Sequence, residues 1–449
     1  MTAFGLPMWI CLIYLFVLGT VVGSFLNVCI YRIPTKEGFW DSLRAIVYPP
    51  SRCPSCMHRI PGVFNIPLLG WLMLRGRCYH CKNHISVRYP LIECFNGLLW
   101  MLLYWLHVPE GFDSTILQSW GHGPLGPDGI AAHAPGWYAS QVTLLHWQFV
   151  YHLVLIEALL VASFIDIDLR IIPDGSTLPA MAVGVAASAL GYLHLTPVWH
   201  QNTAMKNELT WVFPELPVWL FPAQEVPRWI IEWPHLHGLA ASLAGFVVAG
   251  GMTWILRIVG QWGLKREAMG FGDVILMALI GSFLGWQASV MVFFLAPVIA
   301  LVGTALMLPF HRDRMIPYGP YLSLAALVVL MCWQPLWKNY ERVFGAGPLL
   351  PVTAVVMLVL FAVISRGMQL VKQMLGWVDP VEVFDEWNSA DQLAYQAGEN
   401  VDPHAGRWPA PPTWPGADSA RGRSQYDAWR HGGAPGANSN WMRHKPPGG

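Results

Sequence analysis

The chain has 449 residues, of which 54% are hydrophobic and only 12% charged, about half the roughly 25% charged that soluble domains carry. That excludes a soluble multidomain enzyme. Lys plus Arg and Asp plus Glu balance at 27 each, so there is no global basic field for nucleic acid, and no nucleic-acid partner is expected.

A helix needs about 20 apolar residues to cross a bilayer. Apolar windows predict nine spans, at about 8–31, 91–107, 147–165, 177–195, 237–259, 274–286, 288–309, 319–334 and 350–365. The first has no basic n-region and no small-residue cleavage site, so it is expected to remain as a helix. The sixth and eighth are short and are expected to be tilted or partly re-entrant. No internal repeat points to a transporter. The expected fold is an all-α polytopic membrane protein with eight to nine transmembrane helices, a small cytoplasmic zinc-binding loop domain and a disordered C-terminal tail. The domains are read as a first helix at 1–33, a four-cysteine zinc-ribbon-like domain at 34–90, a transmembrane body at 91–335, an extra helix at 350–366 and a tail at 380–449.

Basic residues in the loops set the orientation. Residues 34–89 carry Lys36, Arg44, Arg52, Arg59, Arg75, Arg77, Lys82 and Arg88 against Glu37 and Asp41. Residues 108–145 carry Glu110, Asp113 and Asp128 and no Lys or Arg. The first loop is therefore expected inside, the N-terminus outside and the tail inside, in agreement with Lys265, Arg266, Arg312 and Arg314. The loop 196–236 then falls outside. Its Trp199, Trp211, Trp219, Trp229 and Trp233 fit a cap on the outer interface, where Trp is favoured, or an insertion without chemistry. The tail changes to Pro, Gly, Asn, Asp and Arg, too little apolar surface to repay its ordering.

Two constellations carry chemistry. Cys53-Pro-Ser-Cys56 and Cys78-Tyr-His-Cys81 are two CxxC pairs in the cytoplasmic loop. Four thiolates supplied this way suit a structural, tetrahedral zinc ion with no open position for water. Disulfides are the alternative, which a reducing cytoplasm disfavours. Cys11, Cys29, Cys94 and Cys332 lie in or beside spans and read as packing residues.

The second constellation is a pair of aspartates. Asp166 ends the third span, in a segment that continues through Asp168 to Pro173-Asp174, and Asp273 opens the sixth after Gly270-Phe-Gly272. A charge near the hydrocarbon core costs about 2.5–3.5 kcal/mol, so an ionisable residue there is a functional candidate. Two carboxyls brought together share a proton: one polarises a peptide carbonyl while the other activates water. That is an aspartic protease in outline. Capping of helices by either residue is the plain alternative, within a membrane scaffold or channel whose cysteine loop serves for docking.

These residues resemble a known family. Gly23-Ser-Phe-Leu-Asn27 through Tyr31-Arg32-Ile-Pro34, the CxxC pairs, Asn65-Ile-Pro67 with Gly70-Trp71, Ser86-Val-Arg-Tyr-Pro-Leu-Ile-Glu93, the Asp166 segment, Gly270-Phe-Gly-Asp273 and Ile316-Pro-Tyr-Gly-Pro320 are together similar to the bacterial prepilin peptidases. This is the type IV leader peptidase / N-methyltransferase family of GxGD intramembrane aspartic proteases. The resemblance runs from about residue 8 to 330. It implies that Asp166 and Asp273 are the catalytic pair, with Asp168 and Asp174 nearby but outside the chemistry. It implies as partner the basic leader and hydrophobic helix of a type IV prepilin or pseudopilin, cut after glycine on the cytoplasmic side of the inner membrane, in a type IV pilus or type II secretion system. It also implies N-methylation of the new N-terminus with S-adenosylmethionine, associated with the cysteine loop; Asn27, Arg88 and Glu93 are candidates near that donor. A GxGD protease for another membrane protein is the neighbouring alternative. Many relatives carry a Lys two residues after the second aspartate, where this chain has Ile275. The outer loops, the ninth span and the tail also go beyond the family pattern.

Overall fold

The computed structural model describes residues 6–35, 39–48, 50–53, 55–108, 115–120, 141–196, 228–264, 269–307, 317–344 and 349–375. Its helices, in order, are α1 (Met8–Arg32), α2 (Phe39–Val47), α3 (Leu69–Met73), α4 (Arg88–His107), α5 (Thr115–Ser119), α6 (Gln141–Leu169), α7 (Asp174–Ser188), α8 (Arg228–Glu232), α9 (Pro234–Leu264), α10 (Phe271–Leu284), α11 (Trp286–Met307), α12 (Gly319–Met331), α13 (Trp333–Phe344) and α14 (Leu349–Met374). Among the described residues the only β-type pairing is two isolated bridges. The tail expected at 380–449, most of the loops 108–145 and 196–236, and the loop charges Lys36, Glu37, Lys265, Arg266, Arg312 and Arg314 lie outside the described residues.

Every predicted span meets a helix, but among the described residues fewer of these helices than nine are long and apolar enough to cross a membrane on their own. By length and composition α1, α6, α9, α11 and α14 can cross a membrane, and α12 with α13 makes a sixth if counted together. The chain is a mostly helical membrane protein with five to six such spans. Part of the difference comes from short elements. α10 has 14 residues, about 21 Å at 1.5 Å per residue, less than the roughly 30 Å hydrocarbon layer. The window 319–334 is broken where the chain turns 93° between α12 and α13.

The described residues form two compact units, one of residues up to 15, 99–166 and 172 onward, the other of 16–98 and 167–171. In the first, α10 is the core. It is apolar all round, as a fully enclosed helix must be, and Leu276, Met277, Leu279, Ile280 and Phe283 have no exposed surface. α9 pairs with it through two glycines. A Cβ at Gly245 would stand 2.0 Å from the Gly281 carbonyl oxygen, and one at Gly281 would stand 2.1 Å from that of Gly245. Only backbone fits at this crossing. The buried Tyr151 hydroxyl of α6 lies 2.9 Å from the Gly184 carbonyl of α7 and 3.0 Å from the Ser282 carbonyl of α10, which locks three helices at one point. α14 lies along α9, with Gln369 donating to the Leu264 carbonyl at 3.2 Å and Arg366 over the Trp262 ring.

In the second unit α1 packs on α4 near the middle of each helix, where Asn96 Nδ2 donates to the Gly19 carbonyl at 3.0 Å. Arg32, the last residue of α1, donates to the Ala45 and Ile46 carbonyls at 3.0 and 3.3 Å, satisfying groups that the end of α2 would otherwise leave orphaned.

Candidate active site and cysteine cluster

The loop of the second unit contains a repeated knuckle. Cys53 N–H donates to the His58 carbonyl and Met57 N–H to the Cys53 carbonyl; Cys78 N–H donates to the Asn83 carbonyl and Lys82 N–H to the Cys78 carbonyl. Each knuckle is closed by a bridge, Arg52 to Arg59 and Arg77 to His84. Each turns through a residue at φ 58°, Met57 or Lys82. The two are joined by Asn83 Nδ2 donating to Ser55 Oγ at 2.8 Å and by stacking of His58 on His80 at 4.6 Å between ring centroids.

This arrangement brings all four predicted sulfurs together. Cys53 and Cys81 Sγ are 3.9 Å apart, as are Cys56 and Cys78 Sγ, and all four lie within 4.8 Å of one another. Sulfurs bound about 2.3 Å from a tetrahedral zinc stand about 3.8 Å apart, so the donor set and its spacing fit zinc. Burial pushes the Cys78 thiol up, but hydrogen bonds from Cys81 and His80 backbone and from the neighbouring sulfurs outweigh it and bring it down to about 7. A thiolate, the form that ligates metal, is therefore accessible near neutrality.

Beside the knuckles is a cavity of about 1740 Å³, lined in part by Asn27, Tyr31, Trp40, Arg88, Tyr89 and Glu93. All three candidates named for the methyl donor thus face one space. Each also has a structural partner: Asn27 Nδ2 donates to the Tyr89 carbonyl, Glu93 Oε2 accepts from Leu68 N–H, and Arg88 grips Asp168 through both carboxylate oxygens, at 2.8 and 2.7 Å. Asp168 is therefore an ion-pair partner. Asp174 is the first residue of α7, where a negative charge complements the helix dipole.

The two remaining aspartates meet in the first unit, both buried at 6% and 8% exposure for Asp166 and Asp273. They are close enough for the charge on one to act on the other. Asp166 Oδ2 accepts the backbone N–H of Gly319 at 3.1 Å. Asp273 is the third residue of α10, whose N-cap is Gly270, and its carboxylate turns back toward that residue: a Cβ at Gly270 would lie 3.8 Å from Asp273 Oδ2. Ile172 joins the two sides: a Cβ at Gly272 would lie 3.0 Å from Ile172 Cβ, and one at Gly319 would lie 3.2 Å from Ile172 Cδ1. The sequence separates Asp166 and Asp273 by more than a hundred positions and gives no sign of this meeting. It also gave no role to Tyr318, although the motif containing it was visible. Burial, and then the charge of Asp273, hold the Tyr318 phenol up at about 12, so it keeps its proton beside the pair. A further acid within an apolar helix escaped the sequence reading altogether. Glu157, in mid-α6, accepts a hydrogen bond from Trp100 Nε1, and its signal was simply a carboxylate inside an apolar window.

Two protein families match the chain: the Bacterial Peptidase A24 N-terminal domain over residues 17–107 and the Type IV leader peptidase family over residues 210–305. A prepilin leader peptidase/N-methyltransferase of Myxococcus xanthus is 31% identical over 341 residues, covering 73% of this chain and 75% of the relative. The chain belongs to the prepilin leader peptidase/N-methyltransferase family. Relatives of the same name are 28% identical in Aeromonas hydrophila, over 75% of this chain and 96% of the relative, and 26% identical in Neisseria gonorrhoeae, over 72% and 91%. No solved structure matches. Within this prepilin peptidase family, the first match spans all four clustered cysteines and the second spans Asp273, while Asp166 lies between the two. The sequence resemblance to this family is borne out.

Proposed function

We propose that this chain is a membrane-embedded aspartic endopeptidase that removes the basic leader of type IV prepilins or pseudopilins after a glycine and then methylates the new N-terminus. The relatives' names and the two family matches support the reaction class. The observation that carries the choice of residues is the meeting of Asp166 and Asp273 around Gly319, Ile172 and Gly272.

The chemistry follows from two buried carboxyls sharing one proton. The ionised carboxylate takes a proton from water, which attacks the scissile carbonyl; the protonated carboxyl donates to the developing oxyanion. Collapse of the tetrahedral species expels the amine, which collects a proton from the dyad, and no covalent enzyme intermediate forms. Gly319 N–H fixes Asp166, so this acid need not reorganise at the moment of reaction.

Cys53, Cys56, Cys78 and Cys81 would hold a structural zinc ion, whose binding becomes folding free energy for a loop with little core of its own. The cavity beside them fits the methyl donor: its aromatic walls Tyr31, Trp40 and Tyr89 suit an adenine ring, and Glu93 supplies a buried carboxylate. When bound, S-adenosylmethionine supplies an electrophilic methyl group on a sulfonium. The domain division read from sequence, the placement of the cysteine loop and tail inside, and the N-terminus outside the inner membrane complete this reading.

Asp166→Asn and Asp273→Asn are each expected to lower the cleavage rate of a candidate prepilin by about 100- to 10,000-fold, measured as leader loss on a gel. Undiminished cleavage in both would leave the aspartates as helix caps in a non-enzymatic scaffold.

A further inference from the structure

Asp273 sits at the end of a turn with little stiffness of its own. Two of the three residues before it, Gly270 and Gly272, are glycines, whose backbone is the least restrained of any residue. α10 itself contains no Lys or Arg that could brace the carboxylate from within the helix. The bracing comes from α9. Arg257 Nε donates to the Met269 carbonyl at 3.0 Å, and the guanidinium lies over the Phe271 ring, 5.8 Å from its centroid, within the range of a cation–π contact.

The Met269 carbonyl and the Gly270 N–H belong to one peptide group. That group is planar, with its C=O and N–H fixed on opposite sides. Arg257 holds the carbonyl end through a charge-assisted hydrogen bond, and the other end adjoins the Asp273 carboxylate, where a Cβ at Gly270 would lie 3.8 Å from Oδ2. Arg257 is itself on a rigid support. α9 is pinned to α10 at the Gly245–Gly281 crossing, and again where a Cβ at Gly250 would come within 3.0 Å of the Ala278 side chain.

We infer that Arg257 is a positioning residue for proteolysis: from α9 it clamps the Met269–Gly270 peptide, and through that peptide it orients the Asp273 carboxylate toward Asp166. The inference rests on the reading of Asp273 as a catalytic carboxylate. Arg257 does not need to touch substrate; it transmits the rigidity of the α9–α10 pair across a glycine-rich turn to the reacting group.

The test uses the full-length protein in detergent with a purified prepilin, comparing wild type, Arg257→Ala, Arg257→Lys and Asp273→Asn, with rates normalised to folded protein. Arg257→Ala should lose roughly 10- to 100-fold in kcat with KM unchanged, and the pH profile of kcat should be displaced, because the turn that sets the surroundings of the titrating carboxylate is no longer held. Arg257→Lys, which keeps a cation and a donor, should fall between Arg257→Ala and wild type. A kcat within about threefold of wild type, a loss confined to KM, or a lower kcat with an unmoved pH profile would each overturn the inference. If Arg257→Ala does not accumulate as folded protein, Arg257→Lys is judged alone by the same criteria. Asp273→Asn separates the two levels: if it still cleaves, the catalytic reading itself fails, whereas an inert Asp273→Asn beside an unaffected Arg257→Ala removes only the role of Arg257.

Discussion

Gly319 has no room for a methyl group. A Cβ there would stand 2.5 Å from Asp166 Oδ2, in the place where the backbone N–H now approaches the carboxylate. Gly319→Ala is expected to displace Asp166 and cut the cleavage rate by roughly 100-fold, since misplacement of a catalytic group by about 1 Å costs that much, while the protein still inserts and folds. A steady-state cleavage assay with purified variant decides it; a wild-type rate would mean that Asp166 tolerates movement and does not act where it lies. At this scale the sequence was informative about which residues matter and silent about how they are held. Asp166 and Asp273 were visible as carboxylates at span ends, and Gly270 and Gly272 as the glycines of the motif that carries the second. Gly319 and Tyr318 lay in a motif whose partner could not be read, because a backbone N–H reaching across 153 positions leaves no periodic trace. Ile275 left the second aspartate without a basic neighbour on its own helix, and Arg257 reaches the turn ahead of that aspartate from another element.

Helices were legible wherever apolar runs were long, as in α1, α6 and α9. The short ones were read as spans that are tilted or partly re-entrant, and their length alone does not carry them across a membrane. α10 is apolar all round because protein encloses it, a pattern that an apolar window cannot tell from a helix facing lipid. The break after Met331 escaped because Trp333, although it begins a new helix, is as apolar as the span before it and is fully buried. The cysteine knuckles show the opposite case: CxxC spacing announced the ligand set, but not the mirrored hydrogen bonds that make each loop a copy of the other. These elements give a separable prediction. Cys53→Ser with Cys56→Ser should abolish zinc retention, make the loop around residues 50–85 sensitive to protease, and yield cleaved but unmethylated pilin. Methylated product from this double variant would detach the knuckles from methyl transfer; loss of cleavage as well would mean that the peptidase site needs the knuckles too.

For the whole molecule, the equal totals of acidic and basic residues conceal a sorted arrangement, from which an orientation is expected. Residues 34–89 are strongly basic and 108–145 purely acidic, so the positive-inside rule leads us to expect the cysteine loop inside. Cys81 and Cys332 are both exposed and are expected on opposite sides. In single-cysteine variants, a membrane-impermeant thiol reagent applied to intact spheroplasts should label Cys332 and spare Cys81 until the membrane is opened. Labelling of Cys81 from outside would invert the topology and put the aspartates on the wrong face for a cytoplasmic leader.

The most direct measurement is the mass of the N-terminus of a prepilin co-expressed with the wild-type chain, with Asp166→Asn and with Asp273→Asn. The expected result is a pilin that has lost its leader and gained one methyl group with the wild type, and a full-length precursor with either variant. A processed pilin from both variants would contradict the assignment of Asp166 and Asp273 as the acids that cut it.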